Sequence, residues 1–415
     1  MLRTASVRVM EKILRTGWVI VALAALFLPL QRAAAQGGFE LDDVRVSYDF
    51  GQQITFQARI PSPQNIAQAS LLFRAVNEQV TRVEPLIIAP DGSASFQYNA
   101  AQNVLPPFSN IVFWFQATLT SGEAITSSVY NFRYDDNRFD WRHSAQGPIT
   151  VHWYEGDDAF GQAALDSAHA SLGSVGQVTP VDLTSPLDIY IYATPDDLQG
   201  ALYLGGQEWV DGTADPKLGV VMVSIAPGSM QGIEMDTEIP HELTHVMLYR
   251  SLGDGYNRLP TWLNEGLASI TELYPDPDYK SNLQTASANG SLLPMNDLCG
   301  PFPRDAGRAY LAYAEADSFV RYLRGTYSTT GLSALVQAYA DGLDCELGAT
   351  RALGMPLSQL DTRWRETELG QNVVMVALRN MAPYLLVLGM ALAVPLWGVF
   401  SMWRERKEYV EQPGE

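Results

Sequence analysis

The segment HELTH at residues 241–245 constrains this 415-residue chain more than any other feature of its sequence. Because residues four apart lie on one face of an α-helix, His241 and His245 can bind one metal ion, with Glu242 beside them as a base. The segment TWLNEGLA at residues 261–268 supplies Glu265 as a third ligand, which leaves a catalytic zinc one open position. The pattern therefore predicts one Zn²⁺ per chain, bound by His241, His245 and Glu265. The alternative is a helix whose histidines are only packed or exposed.

Local sequence rules predict a helix for each motif. Thr237 is a candidate cap for the first helix, with Pro240 in its first turn, where a missing backbone N–H costs little. Gly253 is expected after the end of that helix. Thr261 is a candidate cap for the second helix, so Glu265 is expected near its first turn. A short turn between the helices would bring them side by side.

The two motifs, extended to IPHELTH at 239–245 and LPTWLNEGLA at 259–268, resemble the gluzincin branch of zinc peptidases. They look most like the bacterial peptidase MA-like families. The resemblance covers about residues 137–368 and includes ALGMPLSQLDTRW at 352–364, which is similar to a late helix of that family. It implies a thermolysin-like fold and peptide hydrolysis. Ser269 departs from the pattern, because thermolysin-like enzymes carry an acidic partner of the metal ligands there.

A second branch of the same group remains an alternative. The segment LNEG at 263–266 also resembles aminopeptidase N-type enzymes, although the spacing from the first motif is one residue longer here. The upstream motif that binds the substrate amine in those enzymes is not evident, since GSMQG at 228–232 lacks its glutamate and lies too close to His241. An endopeptidase is therefore expected, with an aminopeptidase as the alternative.

The resemblance and the residue types together predict the chemistry. Glu242 is expected to take a proton from zinc-activated water and to return it to the leaving amine. Tyr310 and Tyr313 are candidates for stabilising the developing oxyanion, with core packing as the alternative role for both. Residues 219–225 form a β-branched run that is either an edge strand beside the cleft, able to pair with an extended peptide, or an ordinary buried strand.

Both ends of the chain indicate export and membrane attachment. Residues 1–35 combine basic residues with an apolar run and predict a signal peptide, with an uncleaved anchor as the alternative. Residues 381–403 carry no charge and are long enough to cross a bilayer, with a buried soluble helix as the alternative. The basic residues Arg404, Arg406 and Lys407 follow at once. By the positive-inside rule, a single-pass protein of the cell membrane is predicted, with residues 404–415 cytoplasmic and the catalytic part extracytoplasmic.

The pattern of the chain between these ends predicts a multidomain protein. Residues 37–136 are expected to form an all-β immunoglobulin-like or fibronectin-like sandwich, because short apolar or alternating runs are separated by turn residues. Residues 137–368 are expected to form an α+β thermolysin-like zincin domain, with helices at 306–325, 331–341 and 357–367. Residues 369–380 would link this domain to the transmembrane helix.

Charge and cysteine content add two expectations. The formal net charge of −19 disfavours nucleic acid as a partner, and no nucleotide-binding fingerprint is present. Cys299 and Cys345 are the two cysteines of the chain, and both fall in the predicted extracytoplasmic part. A disulfide between them is therefore predicted, with two free buried thiols as the alternative.

Two classes of function are compatible with this sequence. The first is a membrane-anchored zinc endopeptidase that acts on peptides or proteins. The second is a surface binding or adhesion protein in which the β-sandwich binds and the zinc site has lost its chemistry. The presence of Glu242 favours the first class, because an inactive relative most easily loses that residue.

Overall fold

The computed structural model describes residues 39–202, 212–371 and 373–410, without side-chain detail at 373–380 and 403–410. The chain forms two compact units, Met1–Asp135 and Asp136–Glu415. The predicted signal peptide over residues 1–35 lies outside the described residues, and so do residues 411–415 of the predicted tail.

The first unit is rich in β-strands, as the sequence predicts. Its antiparallel strands form one sheet of order β1-β2-β5 and a second of order β4-β3-β6-β7, in which β8 also pairs with β6. The ring of Phe56 on β2 lies 5.1 Å from that of Phe73 on β3 and 5.2 Å from that of Phe113 on β6, so aromatic side chains join the two sheets. The strands are β1 (Asp42–Asp49), β2 (Gln53–Arg59), β3 (Ile66–Ala75), β4 (Arg82–Leu86), β5 (Ser93–Asn99), β6 (Asn110–Leu119), β7 (Ala124–Thr126) and β8 (Tyr130–Arg133).

The second unit begins with a five-stranded mixed sheet of order β12-β13-β11-β10-β9. The central strands β10, β11 and β13 are parallel, and the two edge strands pair antiparallel to their neighbours. Helix α1 (Asp158–Val175) connects β10 to β11, and α2 (Pro195–Leu202) follows β11. The strands are β9 (Arg142–Gln146), β10 (Ile149–Trp153), β11 (Leu187–Tyr192), β12 (Gly212–Asp215) and β13 (Val220–Ser224).

The strand predicted at residues 219–225 is therefore not an edge strand. It corresponds to β13, which is hydrogen-bonded to β11 on one side and to β12 on the other. Its run of apolar residues fits this position, since a central strand is buried on both faces. The edge strand is β12, a short strand that begins with Gly212 and that the hydrophobic pattern did not predict.

The rest of the unit is helical. The sequence-predicted helices at 306–325, 331–341 and 357–367 are confirmed, although the first two are joined into α6, which is interrupted by the non-helical backbone of Ser328. The helices are α3 (Gln231–Leu252), α4 (Thr261–Ser269), α5 (Tyr279–Asn289), α6 (Ala306–Ala340), α7 (Cys345–Leu353), α8 (Leu357–Thr367) and α9 (Val373–Val410).

Helix α3 begins earlier than predicted. It starts at Gln231, so Thr237 is not its cap and Pro240 lies inside the helix. The predicted end is confirmed, because the helix stops at Leu252 and Gly253 follows with a positive φ of 56°. The position of Pro240 has a structural consequence for the metal site, described below.

Helix α3 contributes to the core of the sheet through one face. Its buried residues Ile239, Leu243, Val246 and Met247 pack with the central strands and α1. Because these positions recur at intervals of three and four, His241 and His245 lie on a different face of the same helix, toward α4. Trp262 and Leu263 of α4 in turn pack into a second core made by the later helices.

Helix α9 contains an apolar stretch, Met381–Met402, with a mean hydropathy of 2.1 and no burial against the rest of the described structure. Its 22 residues are enough to cross a bilayer. Pro383 and Pro395 lie inside the helix.

Candidate metal centre

Three nitrogen and oxygen donors meet where α3 packs against α4. The distance from Glu265 Oε2 is 3.4 Å to His241 Nε2 and 3.8 Å to His245 Nε2. One donor atom from each of the three residues lies within 4.8 Å of the others, which makes this the only group of its kind among the described residues. Two imidazoles and one carboxylate are the donor set of many catalytic zinc sites.

The second nitrogen of each imidazole is also bonded. His241 Nδ1 lies 2.9 Å from Glu272 Oε1, and His245 Nδ1 lies 3.3 Å from Asn264 Oδ1. An acceptor at each Nδ1 favours a proton at that nitrogen, so Nε2 is the nitrogen of each ring that would bind a metal. Both rings are therefore oriented before any ion binds.

Glu272 supplies the acidic partner that Ser269 does not. Ser269 is fully buried at the end of α4, and its Oγ has no hydrogen-bond partner among the described atoms. The Glu272 side chain, which follows in the next turn, is 4% exposed and contacts His241. Glu272 could not be predicted from the sequence, because it lies outside both motifs and beyond the helix on which periodicity could have placed it.

The turn that carries Glu272 is fixed to α3 through Pro240. A proline has no N–H, so the carbonyl four residues before it, at Asp236, receives no bond from within the helix. That carbonyl instead accepts hydrogen bonds from the backbone N–H groups of Leu273, at 2.8 Å, and Tyr274, at 3.3 Å. The proline inside α3 thus makes room for the bonds that hold Glu272 beside His241.

The pKa of each candidate ligand depends on its burial and on the charges of its neighbours. Burial disfavours the charged form of His241, but its bonds to Glu265 and Glu272 outweigh this and raise its pKa well above the ordinary value. Burial lowers the pKa of His245. For Glu265, burial acts to raise the pKa, but the two histidines outweigh it and the pKa is lowered. Glu265 is therefore held as a carboxylate, the form that binds a cation.

Glu242 lies in the same site without being one of the three donors. It is 5% exposed, and its Oε2 has no hydrogen-bond partner among the described atoms. Burial raises its pKa to about 8; His241 opposes the shift, whereas Glu238 and Glu265 add to it. Gly212 of β12 lies so close that a β-carbon there would be 2.9 Å from Glu242 Oε1. A buried carboxyl that has an oxygen without a hydrogen-bond partner and a pKa near neutrality is suited to proton transfer.

The two tyrosines predicted for the oxyanion differ in their contacts. The Tyr313 ring centroid lies 6.4 Å from that of His241, and a hydrogen bond from Tyr313 helps to lower the pKa of Glu265. Burial, together with the negative charges of Glu265 and Glu242, raises the pKa of Tyr313, so its hydroxyl stays protonated and can donate. The hydroxyl of Tyr310 instead donates to Asp276 Oδ2 at 2.8 Å.

A cavity of about 210 Å³ opens beside the donors and includes His241. Its lining carries four carboxylates, Glu238, Glu242, Glu272 and Asp276. It also carries three tyrosines, Tyr279, Tyr310 and Tyr313. We call this cavity the acidic pocket.

Residues 167–369 match the family model of the Peptidase MA superfamily. This segment belongs to the Peptidase MA superfamily. The match includes α3, α4 and every residue of the metal centre described above. The resemblance to this family that the HELTH and NEGLA segments indicate is thereby confirmed for residues 167–369, and the chain is a metallopeptidase, a hydrolase.

Other comparisons add little to the Peptidase MA assignment. No curated protein matches the chain. Among solved structures, the chain is similar to an M1 zinc metallopeptidase from Deinococcus radiodurans, with 12% identity and a TM-score of 0.38 over 78% of this chain and 92% of that one. It is also similar to a family 56 carbohydrate-binding module that binds β-1,3-glucan, with 14% identity and a TM-score of 0.17 over 23% of this chain and 96% of that one. TM-scores this low carry no argument about function.

The Peptidase MA segment also contains the two cysteines. Cys299 and Cys345 are joined in a disulfide across 46 residues of sequence. The bond ties the short 3₁₀ turn Asp297–Cys299 to the first residue of α7, and both cysteines pack against the helical core.

Proposed function

We propose that the chain is a membrane-anchored, extracytoplasmic zinc endopeptidase whose ligands are His241, His245 and Glu265. The observation that carries this proposal is the convergence of two Nε2 atoms on Glu265 Oε2, beside a buried Glu242 whose Oε2 has no partner. Glu272 and Asn264 would orient the two imidazoles. One ion per chain is expected, because the described residues contain one such donor group.

The residues fit zinc by donor chemistry and by burial. Three ligands with a fourth position left for water or substrate is the usual arrangement of a catalytic zinc site, and the donor set here is His₂Glu. When bound, zinc supplies Lewis acidity, which lowers the pKa of water and polarises a peptide carbonyl.

In the proposed reaction Glu242 is the proton carrier. Its carboxylate would accept a proton from the attacking water and later donate that proton to the leaving amine. Tyr313, whose hydroxyl stays protonated beside Glu265, would donate a hydrogen bond to the oxygen on which negative charge develops. Tyr310 is less suited to this role, because its hydroxyl donates to Asp276 and not to one of the proposed zinc ligands.

An extended substrate would be held along the sheet. Strand β12 is at the edge of the sheet, and its Gly212 contacts the acidic pocket beside Glu242. Unpaired backbone groups at an edge can bind an extended peptide by strand addition, which fixes the register of the scissile bond. We propose this role for β12 in place of the strand at 219–225.

The domain roles follow from the same proposal. Residues 137–368 would be the peptidase domain, with a thermolysin-like fold, and residues 37–136 an immunoglobulin-like module. The apolar stretch of α9 would cross the membrane, after a linker at 369–380, and the basic residues from Arg404 onward would keep residues 404–415 in the cytoplasm.

Two measurements test this topology. Protease added outside the cell should digest the body of the chain, and a reporter fused after Glu415 should be active only if it is a reporter that works in the cytoplasm. A reporter that is active outside the cell would overturn this topology.

The substitution Glu242→Gln tests the enzymatic proposal. The amide preserves the shape of the side chain but cannot accept a proton at neutral pH, so the variant should bind zinc and fold while peptide hydrolysis falls by about 10²- to 10⁴-fold. The full chain would be purified in detergent, loaded with zinc and given a peptide library, with Glu366→Gln on the exposed surface as the matched control.

The products of that library decide between the branches of the family. Internal cuts would support an endopeptidase, whereas stepwise release of N-terminal residues would assign the chain to the aminopeptidases. If the zinc-loaded wild type cut nothing, or if Glu242→Gln cut equally well, the enzymatic proposal would fail and a binding or adhesion role would replace it.

A further inference from the structure

The acidic pocket carries more negative charge than the proposed chemistry requires. Glu242 would serve as the base and Glu272 would orient His241, but Glu238 and Asp276 line the same cavity and have no part in either task. Neither lysine nor arginine lines this cavity among the residues that the structure describes. Like charges this close raise each other's free energy unless a cation joins them.

The contacts of Asp276 do not neutralise it. Its carboxylate accepts hydrogen bonds from the backbone N–H of Asp278, at 2.8 Å, and from the Tyr310 hydroxyl, also at 2.8 Å. Both donors are uncharged. The negative charge of Asp276 also contributes to raising the pKa of Tyr310 and of Tyr279, although burial is the larger cause for each.

Nearby cationic side chains are directed elsewhere. Arg321 donates from its Nε to both oxygens of Asp317, at 2.9 Å each. Arg321 and Lys280 line a neighbouring cavity, which shares Asp276 and Tyr279 with the acidic pocket, but neither lines the acidic pocket itself. Among the described residues, the one basic side chain in the lining is His241, a proposed zinc ligand.

A second observation shows that the pocket is built for a ligand. Glu242 is more than nine-tenths buried and lines the cavity, yet its Oε2 has no partner among the described atoms, and leaving a buried polar oxygen unbonded is costly. The rings of Tyr279, Tyr310 and Tyr313 form part of the walls, and aromatic faces attract an ammonium or guanidinium group. Carboxylates combined with aromatic walls are the chemistry that recognises organic cations.

We propose that the acidic pocket binds a cationic group of the peptide substrate, with Glu238 and Asp276 as the specificity-determining residues. This inference rests on the proposed peptidase function. Because His241 and Glu242 line the same cavity, the bound cation would lie close to the scissile bond. Two sources share this chemistry: a lysine or arginine side chain next to that bond, or the ammonium of a free N-terminus.

Kinetics on matched peptides would measure the preference. Internally quenched peptides of one sequence, blocked at both ends, would carry lysine, arginine, norleucine or glutamate at each position flanking the scissile bond. We expect lysine or arginine at one flanking position to raise kcat/KM about tenfold or more over norleucine, and glutamate to lower it. A second arm compares the norleucine peptide with free and with acetylated N-termini. If kcat/KM is tenfold higher for the peptide with the free amine, and the first peptide bond is cleaved, the terminal ammonium is the cation that the pocket binds.

Two variants test whether the acidic pocket causes the preference for a cationic substrate. Asp276→Asn keeps an oxygen that accepts from Tyr310 but loses the charge, and Glu238→Gln removes the charge that α3 adds to the lining. In each, the ratio of kcat/KM for the cationic and neutral peptides should fall toward one. The exposed residues Asp254 and Glu366 supply matched controls, Asp254→Asn and Glu366→Gln, in which the ratio should stay at its wild-type value.

Binding to the inactive Glu242→Gln protein gives a readout that does not depend on turnover. A fluorescent lysine peptide should bind the full, zinc-loaded chain about tenfold more tightly than its norleucine analogue, and added salt should weaken this difference. Adding Asp276→Asn to that protein should reduce the difference.

The outcomes separate this inference from the proposed function. If the wild type hydrolyses peptides but neither a basic side chain nor a free N-terminus changes kcat/KM or binding, the cation pocket is wrong and the peptidase function stands. If no peptide is hydrolysed, the peptidase function fails, and the binding preference of the Glu242→Gln protein still decides whether the pocket selects cations.

Discussion

His241 Nδ1 lies 2.9 Å from Glu272 Oε1, although Glu272 belongs to neither of the motifs that define the metal centre. In thermolysin-like patterns the corresponding acidic residue would stand at Ser269. Here the end of α4 is used for packing, and the carboxylate arrives from the turn that follows. The acidic partner of the His241 ring therefore comes from a different position in the sequence than the resemblance implies.

The first prediction concerns this pair. Glu272→Ala should weaken zinc binding by about 10- to 100-fold, because the imidazole loses both its orientation and the negative charge that raises its basicity. Glu272→Gln should fall between the wild type and Glu272→Ala, since an amide oxygen can still accept from Nδ1–H. Competition with a fluorescent chelator would measure the affinity, with the exposed Glu368→Gln as control. Unchanged affinity in Glu272→Ala would assign Glu272 a packing role only.

The proposed ligand set could be identified from the sequence because local periodicity fixes the positions of its members. The spacing of His241 and His245 dictates one helix face, and Glu265 lies on the next helix after a short connection. Glu272 and Asn264 act through contacts across the site, and no period in the sequence encodes those contacts.

One local expectation was wrong, and another left two alternatives open, each for a physical reason. Thr237 and Pro240 resemble the start of a helix, but the chain tolerates the proline inside α3 because the freed Asp236 carbonyl is bonded by Leu273 and Tyr274. The apolar sequence at 219–225 is equally compatible with a central and an edge strand until its neighbours are known. The edge strand β12 has too few residues to show a hydrophobic pattern. Both outcomes depend on partners that are distant in the sequence.

The second prediction concerns the ligands. Glu265→Ala should lower zinc occupancy of the full chain well below one ion per chain, because a three-donor site loses much of its affinity with one donor removed. His241→Ala and His245→Ala should do the same. Asn264→Ala, which removes only the acceptor at His245 Nδ1, should cause a smaller loss. Metal analysis by mass spectrometry after gel filtration would measure the occupancy. If Glu265→Ala retained the wild-type content, the third ligand would be a different residue.

The third prediction concerns Glu315, a fully buried residue of α6. Its Oε1 accepts from the Leu293 N–H at 2.9 Å, its Oε2 has no partner among the described atoms, and burial raises its pKa to about 8. Because the unfolded carboxyl ionises near the ordinary value of 4.5, the folded state binds the proton more tightly. The contribution of Glu315 to the free energy of unfolding is thus fully present below pH 4.5 and is lost as the pH rises through about 8.

Glu315→Gln should remove this dependence of the unfolding free energy on pH. The amide is neutral at every pH, and its oxygen can still accept the hydrogen bond from the Leu293 N–H. Relative to this variant, the wild type should lose roughly 3 to 5 kcal/mol of unfolding free energy between pH 5 and pH 9. Thermal melts across that range would measure the loss, with the exposed Glu366→Gln expected to follow the wild type. Parallel curves for Glu315→Gln and the wild type would show that Glu315 is ionised in the folded protein.

The fourth prediction concerns the disulfide between Cys299 and Cys345. Closing a loop of 46 residues restricts the unfolded chain and contributes about 4 kcal/mol in the chain-entropy model. Replacing both cysteines by serine should therefore lower the Tm by about 5 to 15 °C in a unit of this size. Reducing agent should lower the Tm of the wild type by a similar amount and leave the double variant unchanged. A non-reduced digest of the native protein should yield the two cysteine peptides joined. Free thiols at both positions, or a double variant as stable as the wild type, would mean that packing of the 3₁₀ turn against α7 suffices without the covalent bond.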